Sequence, residues 1–459
     1  MSEDVWLAAR LIPTSGINGA DEQERRATSA LLAVMSAVRE FGRALTQPIG
    51  APAGTVQTYI EVPFKLGEGK FFPDGLIRIT RGQRQWTALV EVKTGSNELR
   101  VDQLERYLDI AREQGFDALI TISNQIPPVP GQHPTAVDKR KLKKVALHHL
   151  PWSEVLTAAV MQKEYRGVAD PDQAWVLGEL IRYLEHPRSG ALEFGDMGAS
   201  WVPVRESVNA GTLRAVDPAV AEVAGRFDAL VRFAGLKLGR QLGTEIVPAL
   251  TRRELADPSI RTQGLVTQLA TTGTMTAALR IPGAVGALFV TADLRAAKIT
   301  CHVDVEAPRE GRPTTRVNWL VRQLKHAPET LRLESFAAYS RGAGSAELLK
   351  TVREEPGRLV GEPSRELKSF RVAANSAAGT KRGTGRSSFI DSVLGAIDDF
   401  YEQVIQNLKP WMAAPPKLRA PEEVIEAEPV AAALVSTAIS SQDGPQPLEP
   451  GSGQAPQSP

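Results

Sequence analysis

Apolar positions at helical spacing, Leu31, Leu32, Met35 and Val38, predict a long helix over 21–44. The Pro/Gly-rich stretch 47–54 ends it. Short apolar runs at 55–64, 76–80 and 86–93 predict three strands, with turns at 67–69 and 81–85. A second amphipathic helix is expected over 98–114, stopped by Gly115. The run 117–123 has the continuous apolar character of a buried strand. Beyond a proline-rich loop at 124–134, residues 145–149 read as another strand, and Ser153 as the cap of a helix reaching about residue 165. Helix, three strands, helix, strand is the order of an α/β module.

The middle of the chain reads as mostly helical. Asp170-Pro171 and Asp217-Pro218 each place a capping carboxylate before a proline suited to the first helical position. From about residue 273 the period changes: strands are expected at 276–281, 287–293, 297–307 and 331–337, with a helix at 314–324. A last helix, 387–408, carries Phe389, Val393, Ile397, Phe400, Val404 and Leu408 on one stripe, a pattern that core packing explains. Four regions follow: an α/β domain over 1–165, a mostly helical region over 166–270, a smaller α+β domain over 271–411 and a disordered tail over 412–459.

Composition narrows the function classes. Lys and Arg total 54 against 53 Asp and Glu, so any basic surface is local. The single cysteine, Cys301, excludes a disulfide framework and a Cys-based zinc cluster, and reads as a buried small hydrophobe. No run is long and apolar enough to span a membrane, and MSEDVWLAAR lacks the apolar core of a secretory signal. A cytoplasmic protein without a membrane partner is the expectation. Trp152, Trp175, Trp201 and Trp319 read as packing residues. The stretch 380–386, TKRGTGR, reads as a mobile surface loop.

The chemistry concentrates in the first domain. Phe72-Pro73-Asp74-Gly75 opens the second strand, and Glu91-Val92-Lys93 lies in the third. Alternation puts Glu91 and Lys93 on one face with Leu89, and Ala88, Val90 and Val92 on the other, toward a core. A hairpin of this length can bring Asp74 beside Glu91. Two carboxylates and an ammonium at the end of a half-buried sheet serve stability poorly but suit a hard divalent cation. Glu91 and Lys93 taken alone would also fit an ordinary solvated strand face with a weak ion pair.

In order and type, PD followed by a spaced EVK resembles the PD-(D/E)XK nuclease superfamily over roughly residues 20–160. The resemblance implies a restriction-endonuclease-like fold with a mixed central sheet flanked by helices. It implies Asp74 and Glu91 as ligands of Mg²⁺ or Mn²⁺, and Lys93 as the catalytic lysine. Members of the superfamily often place a glutamate on the first helix; Glu24, on the apolar stripe with Thr28, Leu31 and Met35, matches better than Glu22 and would serve the metal directly or through water. An exonuclease-like branch adds Gln-x-x-x-Tyr on the following helix, matched by Gln103 and Tyr107. The expected activity is metal-dependent hydrolysis of DNA phosphodiesters, in a defence, repair or stress-response setting. The basic segment Lys139, Arg140, Lys141, Lys143 and Lys144 would contact phosphates or form a solvated turn. The C-terminal region would select targets, form a homodimer or bind a protein partner. Two rivals stand beside this reading: a catalytically inactive nuclease-like scaffold for nucleic acid or protein, and a phosphohydrolase of small nucleotides, for which no dedicated motif is present.

Overall fold

The computed structural model describes residues 7–8, 11, 20–191, 194–339, 342, 344–361 and 366–413. The tail expected over 412–459 falls outside the described residues beyond 413. In chain order the elements of the first half are β1 (Leu7–Ala8), α1 (Ala20–Ala37), α2 (Arg39–Thr46), β2 (Thr55–Ile60), β3 (Phe64–Leu66), β4 (Gly69–Phe71), β5 (Gly75–Arg81), β6 (Arg84–Val92), α3 (Val101–Gln114), β7 (Ala118–Ser123), β8 (Ala146–Pro151), α4 (Trp152–Val160) and α5 (Pro171–Glu185).

Six of these strands form one sheet in the order β1-β2-β5-β6-β7-β8. Pairing is antiparallel from β1 to β6 and parallel from β6 to β8, so the sheet is mixed. One face packs on α1, α2, α4 and α5 through Leu31, Val34, Phe41, Val90, Val92, Trp152 and Leu177. The other carries α3 and the β3–β4 hairpin through Leu76, Leu89, Leu104, Leu119 and Phe64.

Local chemistry moved several expected boundaries. The first helix breaks at Val38, which is extended (φ −103°, ψ 92°). Gly42 then passes so close to α1 that a Cβ would lie 2.3 Å from the Met35 carbonyl oxygen. Only a residue without a side chain fits that approach, and α2 buries Phe41 and Leu45 beside it. The strand expected over 55–64 stops at Ile60 because Glu61 is left-handed (φ 50°), and β3 and β4 form a separate ribbon. Ser153 lies inside α4, whose cap position is Pro151. Asp170 does cap α5, accepting from the Asp172 and Gln173 amides.

The second half contains α6 (Trp201–Ala210), α7 (Pro218–Leu242), β9 (Val247–Pro248), α8 (Arg252–Ala256), α9 (Pro258–Thr272), β10 (Thr274–Arg280), β11 (Leu288–Asp293), β12 (Lys298–Glu306), α10 (Pro313–Gln323), β13 (Arg332–Ala337), β14 (Ala346–Leu348), α11 (Leu349–Glu354), β15 (Leu367–Ala377) and α12 (Phe389–Gln403). Its antiparallel sheet runs β14-β13-β15-β12-β11-β10-β9, seven strands where a smaller unit was expected. A single core joins this sheet to α6, α7, α9, α10 and α12 and takes in the whole stripe Phe389, Val393, Ile397, Phe400, Val404 and Leu408, together with Cys301. Trp152 and Trp201 are buried as expected, but Trp175 is 62% exposed. The stretch 380–386 is tied to α6, its Thr380 carbonyl accepting from Trp201 Nε1 (3.0 Å) and Arg205 (3.1 Å).

Helix α7 reaches both halves. Buried Arg232 donates to the Pro127 carbonyl (2.6 Å) and to Glu154 on α4 (2.8 Å). Asp228, one turn earlier, takes both Arg261 donors at 2.7 and 3.0 Å. Among the described residues no helix is long and apolar enough to cross a membrane.

Candidate active site

The β5–β6 hairpin builds the site. Gly82 takes the left-handed conformation (φ 59°) in a tight turn that pairs Arg81 with Arg84 and Gly75 with Val90. That register sets Asp74 across from Glu91. A slip of one residue would move Glu91 to the opposite face. Gly75 beside it packs closely on α1: a Cβ there would stand 2.4 Å from Leu32 Cδ1, which would have to shift. Asp74 Oδ2 accepts from the Val92 amide at 2.7 Å. The Lys93 backbone is held on both sides: its amide donates to the Ile122 carbonyl (2.8 Å), and its carbonyl accepts from Trp152 Nε1 (3.0 Å).

The Lys93 ammonium lies 2.6 Å from Glu91 Oε1 and 3.2 Å from Glu24 Oε2, and donates to the Val92 carbonyl at 3.1 Å. The other Glu24 oxygen accepts from Asn97 Nδ2. Glu24 therefore faces the lysine, with both oxygens engaged. Glu91 is 1% exposed, and its carboxyl meets the Asp74 carboxyl within hydrogen-bonding reach. Burial pushes its carboxyl up to about 8, helped by Asp74 and opposed by Lys93. Asp74 is raised too, chiefly by burial, against the pull of Lys93 and the Val92 amide. Burial works against the Lys93 charge, but Glu91 and Asp74 outweigh it and lift its pKa above the ordinary lysine value. All these charges cannot coexist at neutral pH, so Asp74 and Glu91 share a proton unless a cation replaces it.

The helix pair completes one wall. Gln103 Nε2 donates to the Tyr107 hydroxyl (3.3 Å), which donates to the Phe72 carbonyl (3.3 Å), two residues before Asp74. Burial raises the Tyr107 phenol to about 12, with Glu91 adding to the rise, so it remains a donor. Asp74, Glu91, Lys93, Glu24, Gln103 and Tyr107 are thus brought together from α1, the β5–β6 hairpin and α3.

The basic segment is elsewhere. Register aligns Glu91 with Thr121 and His149 across β6, β7 and β8. Lys144, five residues before His149, lies roughly 16 Å back along the strands at about 3.3 Å per residue. Lys141 is bound to Asp109 at 2.6 Å, while Lys139, Arg140, Lys143 and Lys144 are exposed.

Sequence reasoning missed two groups. Asn97 orients Glu24 from the loop after β6, and nothing in its sequence context marked it. Thr121, next to Glu91, starts a buried polar chain: its hydroxyl lies 2.8 Å from His149 Nδ1 and 2.9 Å from His133 Nε2. With His149 Nε2 donating to the Gln125 carbonyl (2.9 Å), Thr121 donates to His149 and accepts from His133. Burial depresses both histidines, His149 to about 3, so both are neutral. A polar threonine inside the apolar run 117–123 was the available signal.

A divalent cation can be weighed against these donors. Among the described residues no group of three or more His, Cys, Asp or Glu side chains is arranged to hold a metal ion. Asp74 and Glu91 supply two adjoining carboxyls, and a cation between them would replace the proton they share. This two-carboxylate set suits Mg²⁺ or Mn²⁺, which bind through one or two carboxylates and retain waters. No family model, no curated protein and no solved structure matches the chain.

Proposed function

We propose that the chain is a metal-dependent nuclease hydrolysing DNA phosphodiester bonds at the Asp74–Glu91–Lys93 cluster. The observation that carries this reading is the pair of adjoining carboxyls, Asp74 and the buried Glu91, with Glu91 Oε1 2.6 Å from a lysine ammonium. Such an arrangement costs folding free energy and is kept where it serves a site. A divalent cation held by Asp74 and Glu91 would supply an acidified water and positive charge against the developing phosphorane. Lys93 orients the attacking water and meets charge on the phosphate. Glu24 and Asn97 hold the lysine in place. Tyr107, kept protonated and steered by Gln103, fixes the Phe72–Asp74 segment through the Phe72 carbonyl.

The absence of a three-carboxylate group among the described residues favours the second reading, a nuclease-like scaffold that binds without cutting. A cleavage assay separates the two. Linear duplex, circular and single-stranded DNA are incubated with Mg²⁺, Mn²⁺ or EDTA, using the full chain beside Asp74→Ala and Lys93→Ala. Cation-dependent cutting lost in both variants supports the nuclease. Equal inertness of all three proteins on every substrate leaves the scaffold.

A further inference from the structure

The β3–β4 ribbon stands directly before the acidic cluster in sequence and carries a basic, aromatic face. Its register sets Phe64 against Phe71 and Lys65 against Lys70. The phenylalanine pair faces α3 and the core. Lys65 and Lys70 are exposed on the other side. Like charges directly opposed across two strands repel, and among the described residues neither lysine has a carboxylate partner. Glu68, in the turn, is the one acidic residue between them.

Phe72 shares this outer face. It is 49% exposed, and Lys70 Nζ lies 5.0 Å from its ring centroid. An exposed phenylalanine under an ammonium is a surface suited to a flat π system carried on a polyanion. Its backbone is fixed, because the Phe72 carbonyl accepts from Tyr107. Asp74 is two residues on, a reach of about 7 Å, which corresponds to roughly two bases at 3.4 Å each. Behind the ribbon, the Arg106 guanidinium covers Phe71 at 5.4 Å and is paired with Asp102.

We infer that Phe72 is a stacking platform for an unpaired base of single-stranded DNA, with Lys65 and Lys70 on the adjoining phosphates. The inference rests on the nuclease reading for the chemistry next door and adds the substrate class: a free strand, or a frayed or overhanging end. A closed duplex hides its base faces and gains nothing from Phe72.

The test is equilibrium binding by the full chain in EDTA, where no cutting occurs. The probes are a short single-stranded oligonucleotide carrying 2-aminopurine and a blunt, closed hairpin duplex. Phe72→Ala should weaken single-strand binding about tenfold and abolish 2-aminopurine quenching, while hairpin binding stays within about twofold. Phe72→Trp, which keeps a π face, should retain both signals. Lys65→Ala with Lys70→Ala should lower the salt dependence of single-strand binding by about 1.4 in log–log slope, roughly 0.7 for each phosphate no longer neutralised. Unchanged single-strand affinity in Phe72→Ala, equal loss on both probes, loss in Phe72→Trp, or no binding by the wild type would each overturn the inference. Because binding is read without metal, its failure leaves the hydrolytic reading intact. Failure of cleavage likewise leaves the platform intact.

Discussion

Glu91→Gln keeps the shape of the side chain and removes its titration. In metal-free protein Glu91 holds its proton to about 8, against 4.5 for an ordinary glutamate, because it is buried and faces Asp74. The unfolded chain releases this proton above 4.5, while the folded chain keeps it to about 8. Folding therefore takes up a proton within that window, and the Glu91 contribution to stability is complete below 4.5 and lost as pH rises to about 8. Each pH unit is worth about 1.4 kcal/mol, so the window of about 3.5 units (8 minus 4.5) is worth on the order of 5 kcal/mol. Losing the contact between Glu91 Oε1 and Lys93 offsets the variant's stability, so the pH slope, not the offset, is diagnostic. Urea unfolding in EDTA should show Glu91→Gln gaining on the wild type by up to about 4 kcal/mol between about pH 5 and about pH 8. Added Mg²⁺ should stabilise the wild type most at the upper end of the window and leave the variant nearly unchanged. A difference between the two proteins that is independent of pH would refute the electrostatic reasoning, and an equal Mg²⁺ effect in both would refute the cation's place at Glu91.

Three further outcomes are expected. Thr121→Val strands His149 Nδ1 and His133 Nε2 in the interior and should cost about 1–3 kcal/mol in urea unfolding. His149, depressed to about 3, is charged in the unfolded chain below 6.5 but not in the folded one, so its contribution to stability should fall as pH drops from 6.5 toward 3 and vanish in His149→Phe; acid titration followed by fluorescence reads this slope. Arg232→Ala leaves the Pro127 carbonyl and the part-exposed Glu154 without their donor and should destabilise by about 1–3 kcal/mol, less if Glu154→Gln is added, a comparison that a double-mutant cycle makes directly.

Local pattern alone specified the strands β5, β6 and β7 with the helix α3 between β6 and β7, the faces of β6, the Asp170 cap and the stripe on α12. These depend on nearest neighbours in sequence: alternation along a strand, one turn of helix, a carboxylate before a proline. That Asp74 would face Glu91 was legible because the β5–β6 hairpin is local and one tight turn sets its register. The break at Val38 was not legible, since the packing it serves, Gly42 against the Met35 carbonyl, is a contact between two helices. Nor was β15, whose Leu367, Phe370 and Val372 are diluted by polar and small neighbours; strands β12 and β13, pairing on either side, make it a strand. Tertiary structure alone decided that Lys93 sits between Glu91 and Glu24, that the basic segment falls at the far end of the sheet, and that Thr121 joins two histidines. Each depends on which strands and helices become neighbours across long stretches of chain. The hydrophobic pattern says which faces must be buried, but the packing of the whole molecule decides which polar groups meet where those faces end.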